Sequence, residues 1–465
     1  MTRIDRMLAE EQRHEARDLE RGLKERHIRL IALGGAIGVG LFLGSAKAIH
    51  QAGPGLILSY MIAGIAVFFT MRALGELLLH RPVAGSFATY AEEYVGPWAG
   101  FFTGWTYWFM WLVVGMAELT AIGMYIHYWF PEIPQWVPAL IALIILTAAN
   151  LIAVKLFGEF EFWFSMIKIV TILAMILIGL AIIVFGLGDL GASASFSNLW
   201  KHGGFSPVGT LGVLLTVQIA CFSYTGIELI GVTAGEVENP EKVLPRATNG
   251  VVYRILFFYL GTLIIIMSLV PWHQLNPTAS PFVQVFDRIG IPAAGGIINF
   301  VVITAAASSC NSGIFSTGRM LYTLSQFGQA PAALGKVNAR HIPATGILMS
   351  SGFMLIGVLL NYLVPEEVFT YVTSVITVAA VWTWVVIIWS HLNYRRAIAR
   401  GQAQPVSFRL PGAPWSNWFV LIFMLGVVCS LALEADTRVA LYVAPFWFAL
   451  LAVGYRFSAS RAQPN

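Results

Sequence analysis

Apolar residues occur along this chain in long runs, and short polar intervals separate them. Twelve runs are near the ~20 residues needed to cross a bilayer. They fall at 28–50, 53–74, 98–130, 136–155, 162–186, 209–235, 251–271, 292–318, 344–364, 368–390, 417–434 and 438–456. The pattern predicts an all-α membrane protein of twelve helices. Two runs carry an internal fault. Gly34-Gly35-Ala36-Ile37-Gly38-Val39-Gly40 puts four glycines into seven residues of the first run, each costing a helix about 1 kcal/mol relative to Ala. Cys221-Phe222-Ser223-Tyr224-Thr225-Gly226 loosens the sixth. Lipid cannot satisfy backbone groups freed by a break, so such a fault persists only where protein or a polar cavity covers it. The N–H groups that open the second half of a broken helix form an anion site.

The two faults sit at the head of runs 1–5 and of runs 6–10. Five is an odd number of crossings, so the two units are inverted with respect to each other. Paired interrupted helices in inverted repeats place a transporter's substrate site near the midplane. The predicted organisation is a tail at 1–27, a first unit at 28–190, a second at 209–390, two further helices at 417–456 and a short tail at 457–465.

Composition agrees with membrane residence: 57% of residues are hydrophobic and 11% charged, against about 25% charged in soluble domains. With the N-terminus placed in the cytoplasm, 23 of the 28 Lys and Arg fall on the inner side and four on the outer, leaving Lys168 inside a run. That asymmetry predicts a membrane protein with both termini inside. The net charge of +4 is therefore a topology signal, and no basic patch points to nucleic acid. Cys221, Cys310 and Cys429 lie in apolar runs without metal-ligand spacing. No metal, cofactor or obligate protein partner is expected. The tail from Leu8 to Arg26 reads as a surface helix, and no cleavable signal peptide is evident.

Polar residues inside apolar runs are the candidate chemistry. Glu118 lies well inside the third run, as a site residue or as a buried structural hydrogen bond. Lys168 is the only cation in the interior of a run, the others lying near run ends; it carries a proton or snorkels to the interface. Ser308, Ser309 and Ser312 belong to a small-residue stretch that either permits close helix packing or faces Lys168 and the first fault. Ser223, Tyr224 and Gly226 loosen the sixth run, Glu228 follows them, and Phe222 beside them is placed to lid a ligand. Glu76 reads as an inner-gate carboxylate or as the partner of Arg72 one turn away.

Several stretches together resemble one family. They are Gly22-Leu23-Lys24-Glu25-Arg26-His27-Ile28, Ala32 to Phe42, Ala52-Gly53-Pro54, Pro82-Val83-Ala84-Gly85-Ser86-Phe87, Phe157 to Phe164, and Gly226-Ile227-Glu228-Leu229-Ile230-Gly231 through Asn239-Pro240. In this order they resemble the bacterial amino acid transporter family of the amino acid–polyamine–organocation superfamily, with permeases for proline, histidine, threonine/serine and aromatic amino acids. The resemblance implies a leucine-transporter-type 5+5 inverted repeat and import of L-amino acids with protons, driven by the proton gradient. It implies that the substrate carboxylate meets N–H groups around Ala36, Ile37 and Gly38, near Gly40. The ammonium would meet carbonyls around Phe222, Ser223 and Tyr224. Phe222 would be the aromatic gate. Lys168 would stand where sodium-coupled relatives bind a cation, with Ser308 and Ser309 nearby, and Glu228 would serve coupling and gating. The expected substrate is neutral or similar to histidine or proline. An exchanger for cationic amino acids or polyamines and a membrane sensor are the alternatives. A nucleotide-binding reading of the glycines fails, since no strand precedes them and no acidic residue is spaced for a ribose.

Overall fold

The computed structural model describes residues 38–83, 86–152, 154–232, 240–290 and 293–461. All regular structure among them is helical. A π-helical turn, Gly40–Gly44, leads into α1 (Ser45–Ala52), and α2 (Leu56–His80), α3 (Ser86–Tyr94), α4 (Pro97–His127), α5 (Trp136–Ile152) and α6 (Val154–Phe185) follow. Then come α7 (Gly209–Tyr224), α8 (Leu229–Val232), α9 (Pro240–Arg254), a π-helical stretch Ile255–Gly261 and α10 (Thr262–Leu269). The rest is α11 (Pro281–Asp287), α12 (Ala294–Gln326), α13 (Ala344–Leu363), α14 (Val368–Ala399), α15 (Trp415–Ser430) and α16 (Val439–Arg461). Among the described residues, eight helical segments are long and apolar enough to cross a bilayer; α5, α7 and α15 are shorter apolar helices.

Helix α4 is the axis of the bundle, packing against both α12 and α14. Its start is set locally: Gly96 turns the chain at φ 144°, and Pro97 follows at a position where the missing N–H costs nothing. Apolar residues also cover the outside. On α16, Tyr442, Phe446, Leu450, Val453 and Phe457 are all exposed and recur at helical spacing. In water such a stripe would be an aggregation surface; against acyl chains it is the ordinary lipid-facing side of a spanning helix.

Several elements differ from the sequence reading. The polar interval between the runs ending at 74 and beginning at 98 holds a further helix, Ser86–Tyr94. Helices α12 and α14 run to Gln326 and Ala399, past the expected ends at 318 and 390. Their amphipathic last turns continue the helix beyond the apolar run. The first fault lies only partly within the described residues: Gly34 to Ile37 and the tail helix at Leu8–Arg26 fall outside them. From Gly38 the chain bends, and the helix opens at Val39 into the π-helical turn.

The second fault sits later than expected. Cys221 to Tyr224 are still α-helical, and the helix ends at Thr225, whose ψ of 139° is extended. Gly226 follows at φ 97°, a conformation open mainly to glycine. The turn closes at Glu228, whose two carboxylate oxygens each accept the Gly226 N–H at 3.1 Å. Trp384 Nε1 of α14 donates to Glu228 Oε2 at 3.4 Å.

A second buried carboxylate ties α2, α14 and α15 together. Glu76 Oε2 accepts from His391 Nε2 at 3.0 Å and from the Leu410 N–H at 2.6 Å. Its Oε1 lies 3.4 Å from Arg395 Nη1. Asn417 Nδ2 donates to His391 Nδ1 at 2.9 Å. Arg72 is occupied elsewhere, bonding Asn249 and the Arg409 carbonyl and lying over the Phe408 ring. The expected Arg72–Glu76 pair is therefore replaced by a longer-range cluster.

Candidate functional site

The end of α7 and the start of the first helix meet closely. A Cβ at Gly40 would stand 2.7 Å from Ser223 Cα, so only glycine lets the two helix ends approach this far. Three tyrosines hold the α7 end. Ser223 Oγ donates to the Ile219 carbonyl at 2.8 Å, so its hydroxyl proton is used there. The Tyr60 hydroxyl, 2.8 Å from Ser223 Oγ, is then the donor of that pair. Tyr259 donates to the Ser223 carbonyl at 2.8 Å, and Tyr224 donates to the Tyr60 carbonyl at 2.9 Å.

Between the two helix ends lies a cavity of about 20 Å³ lined by residues of four elements. Gly38 and Gly40 come from the first helix, Trp111, Val114 and Glu118 from α4, Phe222, Ser223 and Thr225 from α7 and its turn, and Ser309 from α12. One ordered water needs about 10–15 Å³, so the cavity is nearly closed around its walls. Of the sequence-derived candidates, Gly38, Gly40, Glu118, Phe222, Ser223 and Ser309 meet here. Ala36 and Ile37 lie outside the described residues. The carbonyls proposed for an ammonium are already engaged: that of Phe222 accepts the Thr225 N–H at 3.0 Å and that of Tyr224 the Ile227 N–H at 3.3 Å. Each retains a second lone pair.

Glu118 stands at the helix opening. Its Oε1 is 3.5 Å from the Val39 nitrogen, and a Cβ at Gly38 would fall 2.5 Å from that oxygen. A carboxylate of the protein itself thus lies against the helix N-terminus, where the positive end of the dipole favours it. Its Oε2 is buried and meets no donor among the described residues.

Lys168 and Ser308 lie behind the cavity. Lys168 Nζ donates to Ser308 Oγ at 3.0 Å, and that hydroxyl donates to Glu161 Oε1 and Oε2 at 2.8 and 2.9 Å. Lys168, Ser308 and Glu161 are all fully buried. Serine here accepts from an ammonium and donates to a carboxylate, so one hydroxyl joins opposite charges. Glu161 and Glu118 are the carboxylates acting on the Lys168 charge. Glu161 was not singled out from the sequence, although it precedes Lys168 by seven residues and so shares its helix face. Trp111, seven residues before Glu118, was passed over in the same way. Glu228 lies just beyond the cavity wall, as the cap of the α7 turn.

The cavity is separated from a larger vestibule by an aromatic pair. Phe222 lines the cavity, Phe369 lines the vestibule, and the rings meet edge to face at 6.2 Å. The vestibule holds about 670 Å³, and its mouth carries Lys47, Gln51, Glu366, Glu367, Glu434 and Asp436. Lys47 Nζ reaches Asp436 Oδ2 at 3.3 Å, and Gln51 Nε2 donates to Glu434 Oε1 at 2.5 Å. Burial pushes the Glu434 carboxyl up, against the pull of Lys47. The Glu76 cluster lies at the opposite end: His391 follows Phe369 on α14 by 22 residues, about 33 Å of helix.

Apolar helices, two helix ends meeting at a nearly closed polar cavity and a vestibule beyond an aromatic pair define a membrane transport protein. The "Amino acid permease" family profile matches residues 27–465. The chain is 50% identical to the amino-acid permease AapA of Bacillus subtilis, covering 95% of this chain and 96% of that one. It is 48% identical to a probable threonine/serine transporter of the same organism, YbxG, over 94% and 95% of the two chains. It is 46% identical to the D-serine/D-alanine/glycine transporter of Escherichia coli, over 97% of each. The chain belongs to the amino acid permease family, within the amino acid–polyamine–organocation superfamily; it is a multi-pass membrane transporter and not an enzyme.

Proposed function

We propose that this permease imports amino acids by proton symport through alternating access. It would cross the bacterial cytoplasmic membrane twelve times with both termini inside, in a 5+5 inverted repeat spanning 28–190 and 209–390. The observation that carries the reading is the cavity enclosed by the ends of both interrupted helices. Once the two helix ends part to admit it, a zwitterion bridges them, with its carboxylate toward the N–H groups of Ala36, Ile37 and Gly38 and its ammonium toward the carbonyls at Phe222, Ser223 and Tyr224. This recognises the part common to all amino acids. Phe222 shields the bound molecule from the vestibule, which faces outward in this reading. Gly40 and Gly226 permit the two helix ends to approach and turn, and Glu228 holds the α7 turn.

Lys168 is the proposed proton carrier. Charged, it bonds Ser308 and so fastens α6 to α12 beside the cavity; Ser309, the next residue, faces the cavity itself. Losing the proton toward the cytoplasm weakens that tie. One proton crossing 100 mV provides about 2.3 kcal/mol, enough for roughly fifty-fold accumulation. No cofactor is invoked. The test is uptake in proteoliposomes under an imposed proton gradient. Lys168→Ala removes accumulation above the equilibrium level, while exchange of internal for external substrate persists. Undiminished accumulation in the variant overturns the carrier role. The exchanger reading draws on the unpartnered Glu118 Oε2, which suits a second positive charge; counterflow of a diamine or cationic amino acid without a proton gradient would support it.

A further inference from the structure

The wall contributed by α4 is uneven. Trp111, Val114 and Glu118 occupy successive turns of one face, and all three line the cavity. Glu118 marks the end where Gly38 and Ser309 lie, since both are beside its carboxylate or beside the Cβ position of Gly38. With the zwitterion's charged groups held at the two helix ends, the proposed mode of binding, the substrate's side chain is left to the Trp111–Val114 stretch. There the space ends on an indole. Trp111 is 2% exposed. It is also braced: its ring meets Tyr107 edge to face at 6.3 Å, and Tyr107 meets Phe87 of α3 at 4.7 Å. Tyr107 and Phe87 are themselves buried. An indole backed by two buried rings has no free rotamer into which to retreat, because a packed interior yields little volume without strain.

We propose that Trp111 is the residue that sets substrate size, so that the permease favours amino acids with small side chains over those with bulky ones. The inference rests on the cavity being the amino acid site. It narrows the neutral, histidine-like or proline-like expectation to small neutral substrates. Bulk enforces this rejection, whereas a missing methylene in an oversized pocket discriminates only by ten- to two-hundred-fold. The zwitterion contacts are to backbone and are indifferent to side-chain length, so α4 carries the selection.

The test uses the full-length protein in proteoliposomes, with uptake of labelled alanine competed by glycine, serine, leucine, phenylalanine, histidine and proline, each L form beside its D form where one exists. The wild type is inhibited by glycine, alanine and serine at concentrations at least thirty-fold below those needed for leucine, phenylalanine or histidine. In Trp111→Ala that ratio falls at least ten-fold and labelled leucine becomes a substrate. In Trp111→Phe, which keeps a ring on Tyr107, the ratio moves in the same direction by a smaller factor, which guards against misfolding of the alanine variant. Equal inhibition of the wild type by phenylalanine and alanine overturns the inference, as does an unchanged ratio in a Trp111→Phe protein that still transports alanine. A wild type that moves no amino acid at all overturns the transport reading itself, and the inference with it.

Discussion

Two buried carboxylates in this bundle have opposite surroundings. Glu76 takes two hydrogen bonds on Oε2, from His391 and the Leu410 N–H, while its Oε1 has no hydrogen bond among the described residues but faces the Arg395 guanidinium at 3.4 Å; Asn417 holds the histidine from behind. Glu118 is as deeply buried, yet its contacts are a long one to the Val39 N–H and one with the Ser309 hydroxyl, and its Oε2 has no hydrogen bond and no ion pair among the described residues. A buried charge held by a guanidinium, an imidazole and a backbone N–H is structural; removing it strands those partners. A buried carboxylate left partly unsatisfied carries a standing cost, and such cost concentrates where a ligand completes the set. The contrast separates a residue that holds α2, α14 and α15 together from one that lines the cavity proposed for the substrate.

The sharpest way to break the comparison is to neutralise both. Glu76→Ala leaves an imidazole, a guanidinium and a backbone N–H without their acceptor. Breaking one side of a buried pair costs about 3–5 kcal/mol, so thermal unfolding in detergent drops by many degrees and expression falls. Glu118→Gln strands nothing and stays within about 1 kcal/mol of the wild type, while alanine accumulation falls at least ten-fold. Similar melting losses in the two variants would erase the distinction.

The tyrosines around Ser223 offer an intermediate case. Tyr259→Phe deletes only the hydroxyl that donates to the Ser223 carbonyl. The lost bond is worth about 1 kcal/mol, near the usual net value. Because that carbonyl sits at the α7 end, the proposed ammonium site, the effect appears in KM for alanine more than in the melting temperature. A change in melting alone would make Tyr259 a packing residue.

How far the sequence discloses this arrangement depends on the range of the interaction. The spans are legible because each is a local run of about 20 apolar residues. Lys168 and Glu118 are legible because a charge in such a run stands out. Glu161 is not, because it lies just before the run that starts at 162, and only the helix beginning at Val154 places it on the Lys168 face. Trp111 is hidden among Trp105, Tyr107, Trp108 and Phe109, where composition gives no reason to choose one ring. The Glu76–His391 contact joins residues 315 apart, and nothing in a single chain's local pattern signals that separation. The second break was placed a few residues early because Ser223 and Tyr224 suggest a loose helix, whereas in the fold their side chains bond neighbouring helices and keep the α7 end wound.

Glu434 provides the smallest test, and it fixes the scale of the other two. It is a carboxylate at the edge of the vestibule, half-buried, with Gln51 as a donor and Lys47 nearby. Burial raises its pKa above the usual carboxylate value, and Lys47 counters this only in part. A raised carboxyl in the folded state means that ionisation works against folding. The penalty is absent below the unfolded carboxylate pKa, grows as pH rises, and is complete above the folded pKa. Glu434→Gln keeps an acceptor for Gln51 and cannot ionise, so it is the more stable protein at neutral pH and matches the wild type at acid pH. With water screening half of the group, the gain is a few tenths of a kcal/mol, or about 1 °C in melting temperature. Melting curves across pH 4 to 8 would show that gap opening upward. A gap of the same size at every pH would mean that Gln51 packing, and not ionisation, sets the energetics of this edge.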